Sequence, residues 1–159
     1  MGYDWSLDIE VPFLPPSLNR AYIPRLRKVK DGVALTKVMD TKARSFIDRF
    51  RTFVAQKYLL EINSMPVDET VVFRVDYVFF FETLINKTWG KKRGAKSRYA
   101  IVDVTNRITL LENAIKVALD MDDCRYFGGS FRKEMDPGNV RTQVTITAQG
   151  PEEYSLPPL

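Results

Sequence analysis

Asp103 and the pair Asp122-Asp123 stand at the two ends of a helix-sized segment, in a chain of 159 residues that contains no histidine. The missing imidazole excludes a Ser-His-Asp triad, a Cys-His pair and a His-ligated zinc. Hydrolytic chemistry then falls to carboxylates, lysines and a hard cation such as Mg²⁺. Phosphodiester hydrolysis needs an activated water, neutralisation of charge in the transition state and help for the departing alkoxide, and ions held by carboxylates supply all three. A carboxylate cluster in a basic chain therefore points to a nuclease. The two ends converge only if the loop after the helix folds back along it; otherwise Asp103 is a helix cap and Asp122-Asp123 a solvated turn.

Thr105, Thr109, Glu112 and Lys116 recur at helical spacing between these ends and form one polar stripe. Lys87, Lys91, Lys92, Arg93, Lys96 and Arg98 precede them, with no acidic residue among them, and run into Asp103. Such a loop can hold a polyanion where a metal ion works on it. The plainer account is a solvated loop. Trp89 inside it has two readings, stacking on an unpaired base or packing within the loop. A second basic segment carries Arg25, Arg27, Lys28, Lys30 and Lys37 against Asp31 alone, and reads as irregular with a turn at Asp31-Gly32. The net charge of +4 and pI near 9.2 are modest, so the distribution of charge carries more information than its total.

The elements that must position these residues follow from periodicity. Leu7, Ile9, Val11 and Phe13 alternate as a first strand ended by Pro15-Pro16. Ala43, Phe46, Ile47, Phe50, Val54 and Tyr58 mark a helix opened by Thr41. Val71, Phe73, Val75, Tyr77, Phe79 and Phe81 alternate strictly, with Arg74 and Asp76 on the opposite face. Ile108, Leu111, Ile115 and Ala118 mark a second helix from about Thr105 to Leu119. Asp136-Pro137-Gly138-Asn139 separates Tyr126–Met135 from an alternating run after Val140, which reads as a terminal hairpin. The result is an α+β fold, a mixed sheet with two main helices in the order β-α-β-α-β-β.

A hydrophobic fraction of 45% and a charged fraction of 28% suit one soluble domain, taken as residues 1–150, with a proline-containing tail at 151–159. No apolar run reaches the length of a membrane span. The first basic residue is Arg20, so no secretory signal is expected; Met1-Gly2 formally fits an acylation pattern without a reinforcing polybasic run. Cys124, the single cysteine, has no histidine to activate it and receives no role. A cytoplasmic location is expected.

Pro15-Pro16-Ser17-Leu18-Asn19-Arg20, Asp103-Val104-Thr105-Asn106 and Asp122-Asp123 together resemble the RusA family of Holliday junction resolvases, over about Leu7 to Ala148. The resemblance implies a RusA-like fold and a small homodimeric endonuclease of bacterial or phage-infected cells. Such an enzyme binds four-way DNA junctions in recombination and repair and uses Mg²⁺, with Mn²⁺ as a substitute, to make paired nicks. No organic cofactor is implied. Asp103 matches the first carboxylate of the family's Asp-x-Asp-Asn pattern, Asn106 its asparagine, and Asp123 the distant catalytic aspartate with Asp122 its neighbour. Asn19 and Arg20 match a strand-exit motif expected to touch the DNA backbone or support the metal site; a simple turn after the diproline is the alternative.

The chain departs from the family at three positions. Thr105 stands in place of the second aspartate, Thr109 in place of a catalytic lysine, and Asn113 in place of a further aspartate. Glu112 is the first candidate to restore a metal-binding carboxylate, with Asp76 second, and Lys116 or Lys133 to replace the lysine. The alternative for Glu112 and Lys116 is an ordinary exposed helix face. The expected metal ligands are thus Asp103, Asp123 and Glu112, and the expected DNA contacts Asn19, Arg20, Arg25, Arg27, Asn106 and the cations from Lys87 to Arg98. Two rival readings remain: a junction-binding protein that has lost cleavage through Thr105 and Thr109, and a general DNA-packing or dimerisation module.

Overall fold

The computed structural model describes residues 3–18, 22–30 and 32–150. Its elements are β1 (Ser6–Val11), β2 (Tyr22–Val29), β3 (Gly32–Met39), α1 (Thr41–Lys57), α2 (Leu59–Asn63), β4 (Val72–Phe81), α3 (Thr105–Leu119), β5 (Tyr126–Met135) and β6 (Arg141–Gln149). A single 3-10 turn, Asp123–Arg125, leads into β5. The fold is α+β with a mixed sheet; α1 and α3 are the two main helices, and a short α2 of five residues follows α1 among the described residues.

Four strands form the main sheet in the order β1-β6-β4-β5. β6 runs antiparallel to both β1 and β4, whereas β5 is parallel to β4. The expectation of a terminal hairpin is corrected here. Tyr126–Met135 and the run after Val140 are strands, but β4 lies between them: β1 and β4 occupy both sides of β6, so β5 pairs parallel with the far side of β4. The Asp136–Asn139 turn instead crosses the end of β4, where the Asp136 amide donates to the Phe81 carbonyl at 2.9 Å. Gly138 supplies the positive φ of 77° that this turn requires.

Alternation sorts the sheet into two faces. Phe73, Val75, Tyr77, Phe79, Val144, Ile146, Leu7 and Ile9 are buried on the face covered by α1 and α3. Phe50, Phe73 and Phe79 are wholly shielded, each worth about 2–3 kcal/mol of transfer free energy. Thr142 is a buried polar residue in this layer, satisfied because its hydroxyl donates to the Phe13 carbonyl at 2.8 Å. α1 buries Ala43, Phe46, Ile47, Phe50 and Val54, as its periodicity predicts. Its cap is Asp40, whose carboxylate accepts from the Lys42 amide at 2.8 Å, and not Thr41.

The segment read as irregular and basic is regular. β2 and β3 pair antiparallel from Tyr22↔Met39 to Val29↔Gly32 as a separate two-stranded ribbon. The sequence signal was hidden because β2 has no buried residue, so the inside-outside alternation that marks a half-buried strand is missing. Element order is therefore β-β-β-α-α-β-α-β-β in place of the expected β-α-β-α-β-β. Asp31, Asn19, Arg20 and the 151–159 tail lie outside the described residues.

Candidate functional site

α3 is the crossover of a βαβ unit between the parallel neighbours β4 and β5, so its first turn sits at the C-terminal ends of those strands and its last turn at the N-terminal end of β5. The candidate residues divide accordingly. Asp103, Thr105 and Asn106 occupy the first end; Lys116, Asp122 and Asp123 occupy the second. From Thr105 to Lys116 the helix rises about 16 Å.

At the first end, Asp103 Oδ1 accepts from the Asn106 amide at 3.1 Å and Oδ2 from the Asn106 side chain at 2.6 Å. Oδ1 thus satisfies a backbone amide in the first turn of α3, while Oδ2 is held by the Asn106 side chain. Thr109 Oγ1 donates back to the Thr105 carbonyl at 3.2 Å, a bond confined to the helix itself. Arg107 reaches from this turn to the Pro15 carbonyl and lies 5.4 Å from the Phe81 ring, which fastens the exit of the first strand to the helix start. Half-burial lowers the Arg107 pKa, against the charge of Asp103, which raises it. Lys133 pairs in register with Phe79, so it lies toward this end of the unit, exposed on the edge strand.

The cationic run leads into the same end. An isolated bridge joins Ile85 to Tyr99, and Asn86 Nδ2 donates to the carbonyls of Ser97 at 2.6 Å and Tyr99 at 2.8 Å. Thr88 Oγ1 accepts from the Ala95 amide at 3.0 Å. The loop is therefore tied at its neck and across its middle, while Lys87, Lys91, Lys92, Arg93, Lys96, Arg98 and Trp89 are exposed on it.

At the second end, Asp120 adopts the left-handed conformation, φ 50°, and reverses the chain. This fold-back brings Asp122 Oδ1 to 2.8 Å and Asp123 Oδ1 to 3.7 Å from Lys116 Nζ. The Lys116 hydrogen bond to Asp122 raises the lysine pKa and holds the Asp122 carboxyl below its usual value. Arg125 locks the turn to the start of β4: its Nε and Nη2 donate to the Val71 carbonyl at 2.9 and 2.8 Å, and it lies 5.0 Å from the Phe73 ring.

A groove of ≈ 330 Å³ runs between α3 and the edge strand, lined by Ile108 and Glu112 on one side and Val75, Tyr77 and Tyr126 to Phe131 on the other. Glu112 is half-buried there and accepts from the Tyr77 hydroxyl at 3.3 Å. Desolvation raises its pKa, and the nearby charge of Asp123 adds to the effect against the Tyr77 bond. Burial also raises both Tyr77 and Tyr126, and the charges of Glu112 and Asp123 push Tyr126 in the same direction. The Tyr126 hydroxyl is buried with no hydrogen-bond partner. Asp76 is elsewhere, on the opposite sheet face, where Arg74 Nε at 2.8 Å and Ser130 Oγ at 2.6 Å hold it and its pKa is lowered chiefly by Arg74.

Of the expected metal ligands, Glu112 and Asp123 are thus within electrostatic reach of one another and Asp103 stands at the far end of the helix. Carboxylate oxygens are the donors a hard cation takes. Among the described residues, however, no three acidic, histidine or cysteine side chains are grouped closely enough to hold one ion. The donor chemistry suits Mg²⁺; the geometry offers it pairs of carboxylates and not the expected set of three. Arg107 and Arg125 went unnoticed in the sequence, and Tyr77 and Tyr126 were read only as strand positions and not as part of the site. The adjacent Gly128-Gly129 inside a strand was the available signal, since glycine there marks close backbone approach.

Comparison with known protein families gives no match, and no curated protein matches the chain. No described helix is long and apolar enough to cross a membrane.

Proposed function

We propose that this protein is a metal-dependent, structure-selective DNA endonuclease of the RusA type, acting as a homodimer on four-way junctions in the cytoplasm of a bacterial or phage-infected cell. The observation that carries the reading is the fold-back at Asp120, which sets Asp122, Asp123 and Lys116 beside Glu112 along one side of α3. A tied basic loop enters the other end of the same helix. Asp123, with either Asp122 or Glu112, would offer Mg²⁺ a pair of carboxylates, with waters and the DNA phosphate filling its other positions, and the ion would supply an acidified water and neutralise phosphate charge. Lys116 would then release its carboxylates and turn toward the scissile phosphate or the leaving oxygen. Lys87 to Arg98 would hold the DNA backbone, each phosphate contact contributing a slope of about 0.9 in log affinity against log salt. Two symmetry-related sites suit the two equivalent strands of a junction.

A second reading is favoured by one observation. The Thr109 hydroxyl is engaged by its own helix, and Thr105 brings no charge, so these two positions supply neither the second carboxylate nor the lysine that the resemblance implies there. A protein with these features binds branched DNA without cutting it.

The test is cleavage of a labelled four-way junction with Mg²⁺ or Mn²⁺, beside duplex DNA and Asp123→Asn, with binding recorded in parallel. Paired nicks that vanish in the variant support the enzyme. Tight junction binding with no nicks under either metal supports the binding protein, and equal affinity for duplex and junction removes structure selectivity.

A further inference from the structure

We infer that the β2-β3 ribbon is a DNA-groove reader, inserted into the major groove of a duplex arm; this rests on the DNA-binding reading above. A two-stranded hairpin alone in water is at best marginally stable, and this one pairs with no strand of the main sheet. It nevertheless exposes Leu26 at 76%, Leu35 at 71% and Val33 at 62%. Such a surface calls for a partner.

The register decides which partner. Leu26 lies opposite Leu35, and Lys28 opposite Val33, while Lys37 lies opposite Pro24; these six residues share one face. Arg25, Arg27 and Thr36 share the other. Cations therefore project from both faces, and no acidic residue lies on either strand. A second copy seated on the apolar face would bring Lys28 and Lys37 against their own symmetry mates, desolvating like charges. A DNA groove reverses that argument. It presents phosphates along both walls, and the major groove is wide enough for a two-stranded ribbon. Between the walls, Leu26, Leu35 and Val33 meet the apolar components of base edges, such as thymine methyl groups, and Lys28 and Lys37 on the same face find guanine acceptors. The aliphatic stems of the lysines complete the contact.

The experiment compares wild type with Lys28→Ala/Lys37→Ala and with Leu26→Ser/Leu35→Ser, measuring affinity for a four-way junction against salt and guanine N7 methylation in the arms. Circular dichroism melting of the free proteins serves as the fold control. The expected result is N7 protection by wild type that the lysine pair loses, a salt slope lower by about 2, and at least tenfold weaker binding. The leucine pair is expected to weaken binding with an unchanged slope. Junction binding by wild type with no N7 protection, or with both variants indistinguishable from it, would overturn the ribbon's role and leave the DNA-binding reading standing. A leucine pair that turns a DNA-free dimer into a monomer while affinity stays constant would also overturn it, in favour of an interface between copies. If wild type binds neither junction nor duplex, both readings fall together.

Discussion

Lys116 Nζ lies 2.8 Å from Asp122 Oδ1 and 3.7 Å from Asp123 Oδ1, so a lysine on the helix serves as counter-ion to two adjacent carboxylates beyond its end. All three side chains are about half exposed or more, and the pair contributes little to stability at such a site. Its consequence is electrostatic. A divalent cation must compete with the ammonium for the same oxygens.

Lys116→Met is therefore expected to raise Mn²⁺ affinity severalfold while leaving the melting temperature nearly unchanged. Calorimetric titration of both proteins with Mn²⁺ checks this. Equal affinities would mean that Asp122 and Asp123 are a solvated turn and not a cation site.

Glu112 gives a pH dependence whose sign follows from its raised pKa. A carboxyl that is harder to ionise when folded binds more protons in the native state than in the unfolded one. Stability then falls as pH rises from the ordinary glutamate value through the raised one. Gln at this position keeps an acceptor for Tyr77 and removes the charge. The melting temperature of Glu112→Gln should equal or exceed that of wild type at pH 8, with the difference shrinking toward pH 4. A variant less stable at pH 8 would show that the ionised carboxylate is a net stabiliser.

Asp120 supports the fold-back with a left-handed backbone at φ 50°. A side chain is disfavoured there, whereas glycine adopts the region freely, although glycine also loses more freedom on folding. Asp120→Gly should be neutral or stabilising by up to about 1 kcal/mol, and Asp120→Val destabilising by about 1–2 kcal/mol, because a β-branched residue is an outlier in that region. Urea melts of the two variants measure this. Loss of stability in the glycine variant would place the strain elsewhere.

The sequence displayed most clearly what is half-buried. Val71 to Phe81 and the apolar stripes of α1 and α3 were readable because one face meets a core and the other meets water, which fixes period 2 or period 3.6. β2 failed that test by having no buried face. The partnership of β5 was hidden for another reason: Asp136-Pro137-Gly138-Asn139 makes the same local turn whether the strands beside it pair or are separated by β4. In the site, Asp103, Glu112 and Asp123 were visible as residues, but the approach of Asp123 to Glu112, which leaves Asp103 at the far end, depended on Asp120, whose left-handed turn no spacing rule announces. The burial of the Tyr126 hydroxyl was equally invisible, since it follows from β5 lying parallel to β4.

Gly129 joins that strand geometry to the groove. A Cβ built there would lie 2.1 Å from the Val75 carbonyl oxygen, a backbone atom of β4 that cannot swing away. Gly129 thus sets how closely the edge strand approaches β4, and with it the width of the groove holding Glu112. Gly129→Ala must push β5 outward, at a cost of about 1–3 kcal/mol, typical of overpacking. The melting temperature should fall by roughly 2–10 °C for a chain of this size. Because the displaced strand carries Tyr126, the contacts around Glu112 loosen, and any junction cleavage should drop more than junction binding does. Phe127→Ala, on the same strand but 41% exposed, should alter stability far less. Equal stability of Gly129→Ala and wild type would mean that β5 floats freely at the sheet edge and does not define the groove.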